Sequence, residues 1–135
     1  MTETTTKLDH VQRLRDGYEA FGRGDLEAIR TLFSPDIVWH VGGNNPLTGD
    51  YKGIDAVFGF FGKIFTETEG TLKNDVHDVL ANDTHGVALV TQSAERNGKK
   101  ISSNAVHVVH YDAEGRTTES WFVPEKAAET DEFWS

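Results

Sequence analysis

Residues Ile101–Tyr111, with the sequence ISSNAVHVVHY, have the two-residue periodicity of a β-strand. Side chains two positions apart share one face of a strand. This rule places on one side an apolar row that includes a histidine: Ile101, Ala105, His107, Val109 and Tyr111. The imidazole of His107 therefore has a hydrogen-bond partner beneath it, or it faces a cavity in which a ligand supplies one.

Strands are also predicted on both sides of this segment. Residues 71–82, 86–96 and 116–123 show the same period, and the strand around His107 extends over residues 99–111. Asn97-Gly98 is a strong signal for a two-residue hairpin turn. Residues 83–85 and 112–115 form the neighbouring turns. The second half of the chain therefore predicts an antiparallel meander of four strands rather than βαβ units.

Two amphipathic helices are predicted before the strands. Gly22 to Gly24 end the first helix. Its apolar side chains recur at spacings of three and four: Leu8, Val11, Leu14, Tyr18 and Phe21. Asp25 is expected to cap a second, shorter helix, which Ser34-Pro35 stops. Its apolar side chains keep the same period: Leu26, Ile29, Leu32 and Phe33.

The middle of the chain predicts a short strand, a loop and a third helix. Residues 36–41 place Ile37, Trp39 and Val41 on one side, and residues 42–49 read as a loop. The helix begins near Ile54 and is apolar almost all round, so burial along most of its surface is expected. Its apolar residues are Val57, Phe58, Phe60, Phe61, Ile64 and Phe65.

Length and composition indicate one soluble domain over residues 1–135, and helices followed by an antiparallel meander predict an α+β fold. Residues 1–7 are expected to form a flexible tail and residues 125–135 a C-terminal extension. Hydrophobic residues make up 37% and charged residues 26% of the chain. The extension, EKAAETDEFWS, has Phe133 and Trp134 at its tip, either docking on the body or serving a partner chain.

Charge and cysteine content restrict the partners and the compartment. The net charge of −9 disfavours nucleic acid, and no segment approaches the ~20 apolar residues of a membrane span. The absence of cysteine excludes disulfides and thiol nucleophiles, which fits the cytoplasm. We expect neither membrane nor nucleic-acid binding.

The order of these elements resembles that of the NTF2-like superfamily. The segments YEAFGRGDLEAIRTLFSPDIVWHVGG (residues 18–43) and GDYKGIDAVFGFF (residues 49–61) are similar to its SnoaL-like, ketosteroid-isomerase-related branch. The resemblance implies a cone, in which a curved, mostly antiparallel sheet wraps around a long helix with two N-terminal helices. It also implies a small, mostly apolar ligand at the open end of the cone, and a homodimer.

The residues that carry catalysis in related enzymes differ here. Ketosteroid isomerase uses an aspartate to move the proton, and a tyrosine and a neutral acid to bind the enolate oxygen. The resemblance places these roles at Val41, Gly17 and His107 respectively. The acid that SnoaL-type polyketide cyclases use falls near Phe122. The isomerase mechanism therefore cannot run unchanged, because an aliphatic side chain accepts no proton.

Four residues are candidate catalytic groups. His107 is the favoured acid or base; the alternative is a buried histidine whose partner is a tyrosine or a backbone carbonyl. Tyr18 and His40 become helpers if the register differs by one residue, although the alternation puts His40 on the outer face and Tyr18 on a core stripe. Asp78 shares a parity with Val76, so it is expected to point inward, where it could pair with His107.

The expected ligand-binding walls combine helix and strand positions: Leu14, Gly17, Phe21, Trp39, Val41, Val57, Phe60, Phe61, Val109 and Phe122. Plain core packing is the alternative for Trp39. No metal-ligand spacing or glycine-rich phosphate loop occurs in the sequence, so neither a metal nor a cofactor is expected.

The sequence leaves two functions open. The first is a cofactor-independent isomerase, cyclase, lyase or hydrolase that moves protons on a small carbonyl compound, with His107 as acid or base. The second is a non-catalytic ligand-binding or dimerisation domain that keeps the cone without the chemistry.

Overall fold

A computed structural model describes residues 9–135 of the chain. Its elements in chain order are α1 His10–Arg23, α2 Leu26–Arg30, β1 Phe33–Val41, β2 Gly49–Lys52, α3 Ile54–Glu67, β3 Lys73–Ala81, β4 His85–Arg96, β5 Lys99–Tyr111, β6 Thr117–Pro124 and α4 Ala127–Trp134. Leu8 and the predicted tail of residues 1–7 lie outside the described residues.

One curved, open sheet has the strand order β2-β1-β6-β5-β4-β3. Strands β3 to β6 form the predicted antiparallel meander, and β1 joins β6 in parallel. Asn97 and Gly98 have φ angles of 50° and 77°, the positive values that a type I′ hairpin turn requires. The mostly antiparallel α+β fold is therefore confirmed.

Helix caps fix where the first two helices begin and end. Asp9 and Asp25 each accept a hydrogen bond from a backbone N–H of the first turn, and Gly24 ends α1 with a φ of 69°. The predicted extent of α2 is wrong, since it stops at Arg30 and Phe33 already pairs with Thr117 of β6. Pairing with the sheet overrides the helical period there.

The edge strand β2 is absent from the prediction. Its residues pair antiparallel with the end of β1, from Val38↔Lys52 to Val41↔Gly49. Only four residues long, it offers too little alternation to stand out from the loop before it. Its pairing with β1 forms one edge of the sheet.

The expectation that α3 is buried along most of its surface is wrong. Val57, Phe61 and Ile64 are buried, whereas Phe58, Phe60 and Phe65 are half-buried. A helix that packs on one sheet buries one face, and the remaining rings are covered only by their neighbours. Phe60, for example, lies 4.6 Å from the Tyr51 ring, measured between centroids.

The C-terminal segment docks on the body of the protein and forms α4. Phe133 and Trp134 are 2% and 7% exposed and belong to the main apolar cluster. Arg96 Nη1 donates to the Phe133 carbonyl at 3.0 Å, and Lys99 Nζ donates to the Glu132 carbonyl at 2.8 Å. The β4–β5 hairpin therefore holds the end of the chain. Among residues 9–135, none of the helices has the length and apolar character of a membrane-spanning helix.

Candidate functional site

A cavity of about 140 Å³ lies between α1, α3 and the inner face of the sheet. Most of the residues proposed from the sequence line it: Leu14, Gly17, Tyr18, Phe21, Trp39, Val41, Phe60, Phe61, His107 and Phe122. Apolar residues that the sequence did not single out complete the wall: Ile29, Phe33, Leu47, Ile64, Leu72, Pro124 and Trp134. The site is thus a pocket with mostly apolar walls.

Strand register places His107 on the floor of this cavity. His107 pairs with Phe122 of β6 on one side and with Ala88 of β4 on the other, and Phe122 pairs in turn with Val41 of β1. The small side chain of Ala88 belongs to the cluster against which Tyr18 of α1 packs. Helix α1 can therefore bring the Tyr18 hydroxyl close to the imidazole.

Both nitrogens of His107 have partners. Nδ1 lies 2.6 Å from Tyr18 Oη, and Nε2 lies 2.5 Å from Ser120 Oγ. The rings of Trp39 and Phe122 flank the imidazole, with centroids 5.1 and 5.7 Å away. His107 therefore has hydrogen-bond partners and also faces the cavity, so the two surroundings expected for this side chain occur together.

Burial sets the protonation of this pair. Because the surrounding rings exclude water, they disfavour imidazolium and lower the pKa of His107 to about 4. The same desolvation raises the pKa of Tyr18 far above its ordinary value. Imidazole and phenol are therefore both neutral at pH 7.

The other polar groups of the cavity wall are uncharged. Among the described residues that line it, the polar side chains besides Tyr18 and His107 are Asn45, Asn74, Gln92 and Thr130, with no Asp, Glu, Lys or Arg. Gln92 Nε2 donates to Asn74 Oδ1 at 2.9 Å, and Asn45 Nδ2 donates to Asp131 Oδ1 at 2.8 Å. The cavity therefore offers hydrogen bonds without a fixed charge.

Ser120 is a site residue that the sequence interpretation missed. Its side chain is fully buried, and it lies opposite Trp39 of β1 and Val109 of β5. Strand alternation could have identified it, because Ser120 is two residues from Phe122 and therefore shares its inward face.

Two of the expected wall residues lie elsewhere. Val57 is a fully buried core residue of α3 and does not reach the cavity. Val109 lies two residues beyond His107 on β5 and faces a separate small pocket beside His10 and Tyr111. Both have the predicted inward orientation, but the cavity does not extend to their level.

The expected inward orientation of Asp78 is wrong. A β-bulge between Val76 and Asp78 inserts one extra residue in β3, so the register moves from Val76↔Val90 to Asp78↔Leu89. Beyond the bulge Val79 points inward and Asp78 is exposed. A pair between Asp78 and His107 is therefore excluded.

His40 lies on the outer face of the sheet and cannot act in the cavity. Its Nδ1 lies 2.7 Å from Asp50 Oδ1, its Nε2 lies 2.6 Å from Glu119 Oε2, and its ring stacks on Trp121. The hydrogen bond to Glu119, followed by that to Asp50, raises the pKa of His40. The helper role for His40 is corrected to a link between β1, β2 and β6.

No group of three or more potential metal-ligating side chains (His, Cys, Asp or Glu) occurs in the described residues. His77, next to Asp78, is exposed, and its Nε2 lies 2.5 Å from Thr91 Oγ1.

Comparison with known proteins identifies the family. The SnoaL-like domain family matches residues 14–120. The uncharacterized protein Rv0034 of Mycobacterium tuberculosis is 35% identical over 130 residues, which cover 95% of each chain. Bal32a, from a soil-derived mobile gene cassette, is 31% identical with a TM-score of 0.90, covering 93% of this chain and 96% of its own. An NTF2-like protein of Burkholderia pseudomallei is 25% identical with a TM-score of 0.83, covering 96% and 99%. The chain therefore belongs to the SnoaL-like domain family of the NTF2-like superfamily.

Proposed function

We propose that this protein binds a small, largely apolar molecule in the cavity and holds a polar atom of it against the Tyr18–His107 pair. The observation that carries the proposal is the convergence of apolar walls on one hydrogen-bonded pair of neutral polar side chains. Pockets of this composition bind small molecules, and their few polar groups fix the orientation of the ligand.

The volume of the cavity supports a ligand portion about the size of one ring. An apolar cavity of about 150 Å³ accepts a benzene-sized molecule, and this one measures about 140 Å³. TerC shares the fold at 18% identity and a TM-score of 0.79, and it was co-crystallised with polyporic acid. That likeness concerns the fold, so the ligand proposed here rests on the cavity itself.

Binding is better supported than proton abstraction. A histidine with a pKa of about 4 is a weak base at neutral pH. No carboxylate among the described cavity residues could assist it. We therefore favour the ligand-binding alternative, in which the polar pair orients or polarises the ligand.

Filling the cavity is expected to weaken ligand binding. Val41→Trp places a large ring at an inward position of β1, next to Phe122, and should weaken the binding of benzene and acetophenone at least about tenfold, because the ligand volume is occupied. Val38→Trp adds the same ring on the outer face of the same strand and should leave affinity unchanged. Titrations followed by NMR chemical shifts measure both variants. Equal affinities for the two variants would contradict the proposed site.

A homodimer across the outer face of the sheet is a second proposal. Leu89, Val106 and Val123 are direct cross-strand pairs on β4, β5 and β6, so they form one row, and they are 37%, 39% and 55% exposed. With a net charge of −9, two copies repel each other over most of their surface. An uncharged aliphatic row is where a second copy can bind.

Introducing a charge into this row tests the dimer. Val106→Glu would bury two like charges at the contact and should convert the dimer to a monomer, with little effect on the fold because Val106 is 39% exposed. Ala113→Glu adds the same charge in an exposed turn and should remain dimeric. Sedimentation equilibrium measures the masses. A monomeric wild-type protein would contradict the proposal.

A further inference from the structure

Tyr18, His107 and Ser120 form a hydrogen-bonded chain with a surplus of hydrogen atoms. The chain has two links, Tyr18 Oη to Nδ1 at 2.6 Å and Nε2 to Ser120 Oγ at 2.5 Å. A neutral imidazole contributes one N–H, and each hydroxyl contributes one O–H. Three hydrogen atoms therefore serve two links, and one hydrogen must point out of the chain.

The two ends of the chain differ in what can accept that hydrogen. The Ser120 side chain is fully buried, and its only hydrogen bond among residues 9–135 is the one to His107. A hydroxyl hydrogen left unpaired there would be a buried unsatisfied donor, which is costly. Tyr18 lines the cavity, where a ligand or water can accept its hydrogen.

We propose that the chain has one direction: Ser120 Oγ–H donates to Nε2, Nδ1–H donates to Tyr18 Oη, and the Tyr18 hydroxyl hydrogen points into the cavity. His107 and Ser120 are then positioning residues that fix Tyr18 as a donor. The opposite direction would make Tyr18 an acceptor towards the ligand and leave the Ser120 hydrogen without a partner.

The ligand class follows from this direction and rests on the proposed function. The cavity selects a ring-sized apolar molecule that carries a hydrogen-bond acceptor, such as a ketone, aldehyde or ester oxygen. Because Tyr18 Oη accepts a hydrogen bond from Nδ1–H, its own O–H becomes a stronger donor. A ligand of the same shape without an acceptor leaves that donor unpaired and binds more weakly.

The histidine tautomer tests the direction without any ligand. Side-chain ¹⁵N chemical shifts of His107 in the free protein at pH 7 report which nitrogen carries the proton. A protonated Nδ1 and an unprotonated Nε2 are expected. A protonated Nε2, alone or together with Nδ1, would overturn the inference.

A matched pair of ligands tests the selectivity. Acetophenone and α-methylstyrene have nearly the same shape and differ by an oxygen in place of a CH₂ group. The wild-type protein should bind the ketone about fivefold more tightly, the net effect of one hydrogen bond. Tyr18→Phe should remove this preference, and Ser120→Ala should reduce it because Nε2 loses its donor.

A control variant and the two possible negative results of the binding experiment have different meanings. Tyr111→Phe removes a hydroxyl that bonds the backbone carbonyls of Asn82 and His85, away from this cavity, and should keep the preference. If both compounds bind with equal affinity, the inferred selectivity for a hydrogen-bond acceptor is wrong while the binding function stands. If neither binds, the proposed function is wrong, and the tautomer alone decides the direction of the chain.

Discussion

Phe133→Ala is expected to lower the free energy of unfolding by about 3–5 kcal/mol, the usual cost of truncating a buried phenylalanine. Phe133 is 2% exposed, and its ring packs edge-on against Trp134 at 4.9 Å between centroids. Trp134 in turn lines the cavity. The truncation should therefore loosen α4 as well as create a void.

Urea denaturation followed by tryptophan fluorescence measures this change. Glu129→Ala, on the exposed side of the same helix, is the matched control and should change stability by less than about 0.5 kcal/mol. A loss below about 1 kcal/mol for Phe133→Ala would show that α4 is not part of the core, contrary to the structure.

Stability should fall by roughly 3 kcal/mol as the pH is lowered from about 6.5 to about 4, owing to His107. Its pKa is lowered from 6.5 to about 4 in the folded protein, so the unfolded chain binds the extra proton in this range and the folded protein does not. Each pH unit in the window removes about 1.4 kcal/mol. Above pH 6.5 the imidazole is neutral in both the folded and the unfolded state, so His107 no longer lowers the free energy of unfolding.

Other shifted groups act outside this window. His40 has a raised pKa, so its contribution is present below pH 6.5 and is lost as the pH rises through its folded value. Asp112 and Asp131 have lowered pKa values, so their contributions are lost only below about pH 3.8. Urea unfolding of His107→Gln at several pH values isolates the imidazole. If this variant retains the full slope between pH 4 and 6.5, the assignment to His107 is wrong.

The inward-facing and outward-facing side chains of β5 were predicted from the two-residue period alone. His107 and Val109 point inward and Val106 and His110 outward, as the two-residue period of the segment requires. The hairpin at Asn97-Gly98 and the cap at Asp25 also followed from local chemistry. These features depend on neighbouring residues, which is why the sequence suffices for them.

Features set by pairing between distant segments could not be predicted from the sequence. The bulge in β3 reverses the parity after Val76, and nothing local marks it, so Asp78 was placed on the wrong face. Strand β2 exists because β1 offers it an edge. The candidate site was predicted in part for the same reason, since Tyr18 and Ser120 meet His107 only after α1 and β6 pack on β5.

Intermolecular nuclear Overhauser effects between acetophenone and the ¹³C,¹⁵N-labelled protein show whether the ligand occupies the cavity beside Tyr18. We expect contacts from the ligand ring to Trp39, Phe61 and Phe122, and from the ligand methyl group to the Tyr18 ring, because the ketone oxygen is proposed to lie against Tyr18. Contacts to Leu89 or Val106 on the outer face instead, or no contact to any cavity side chain at saturating ligand, would contradict binding in the cavity.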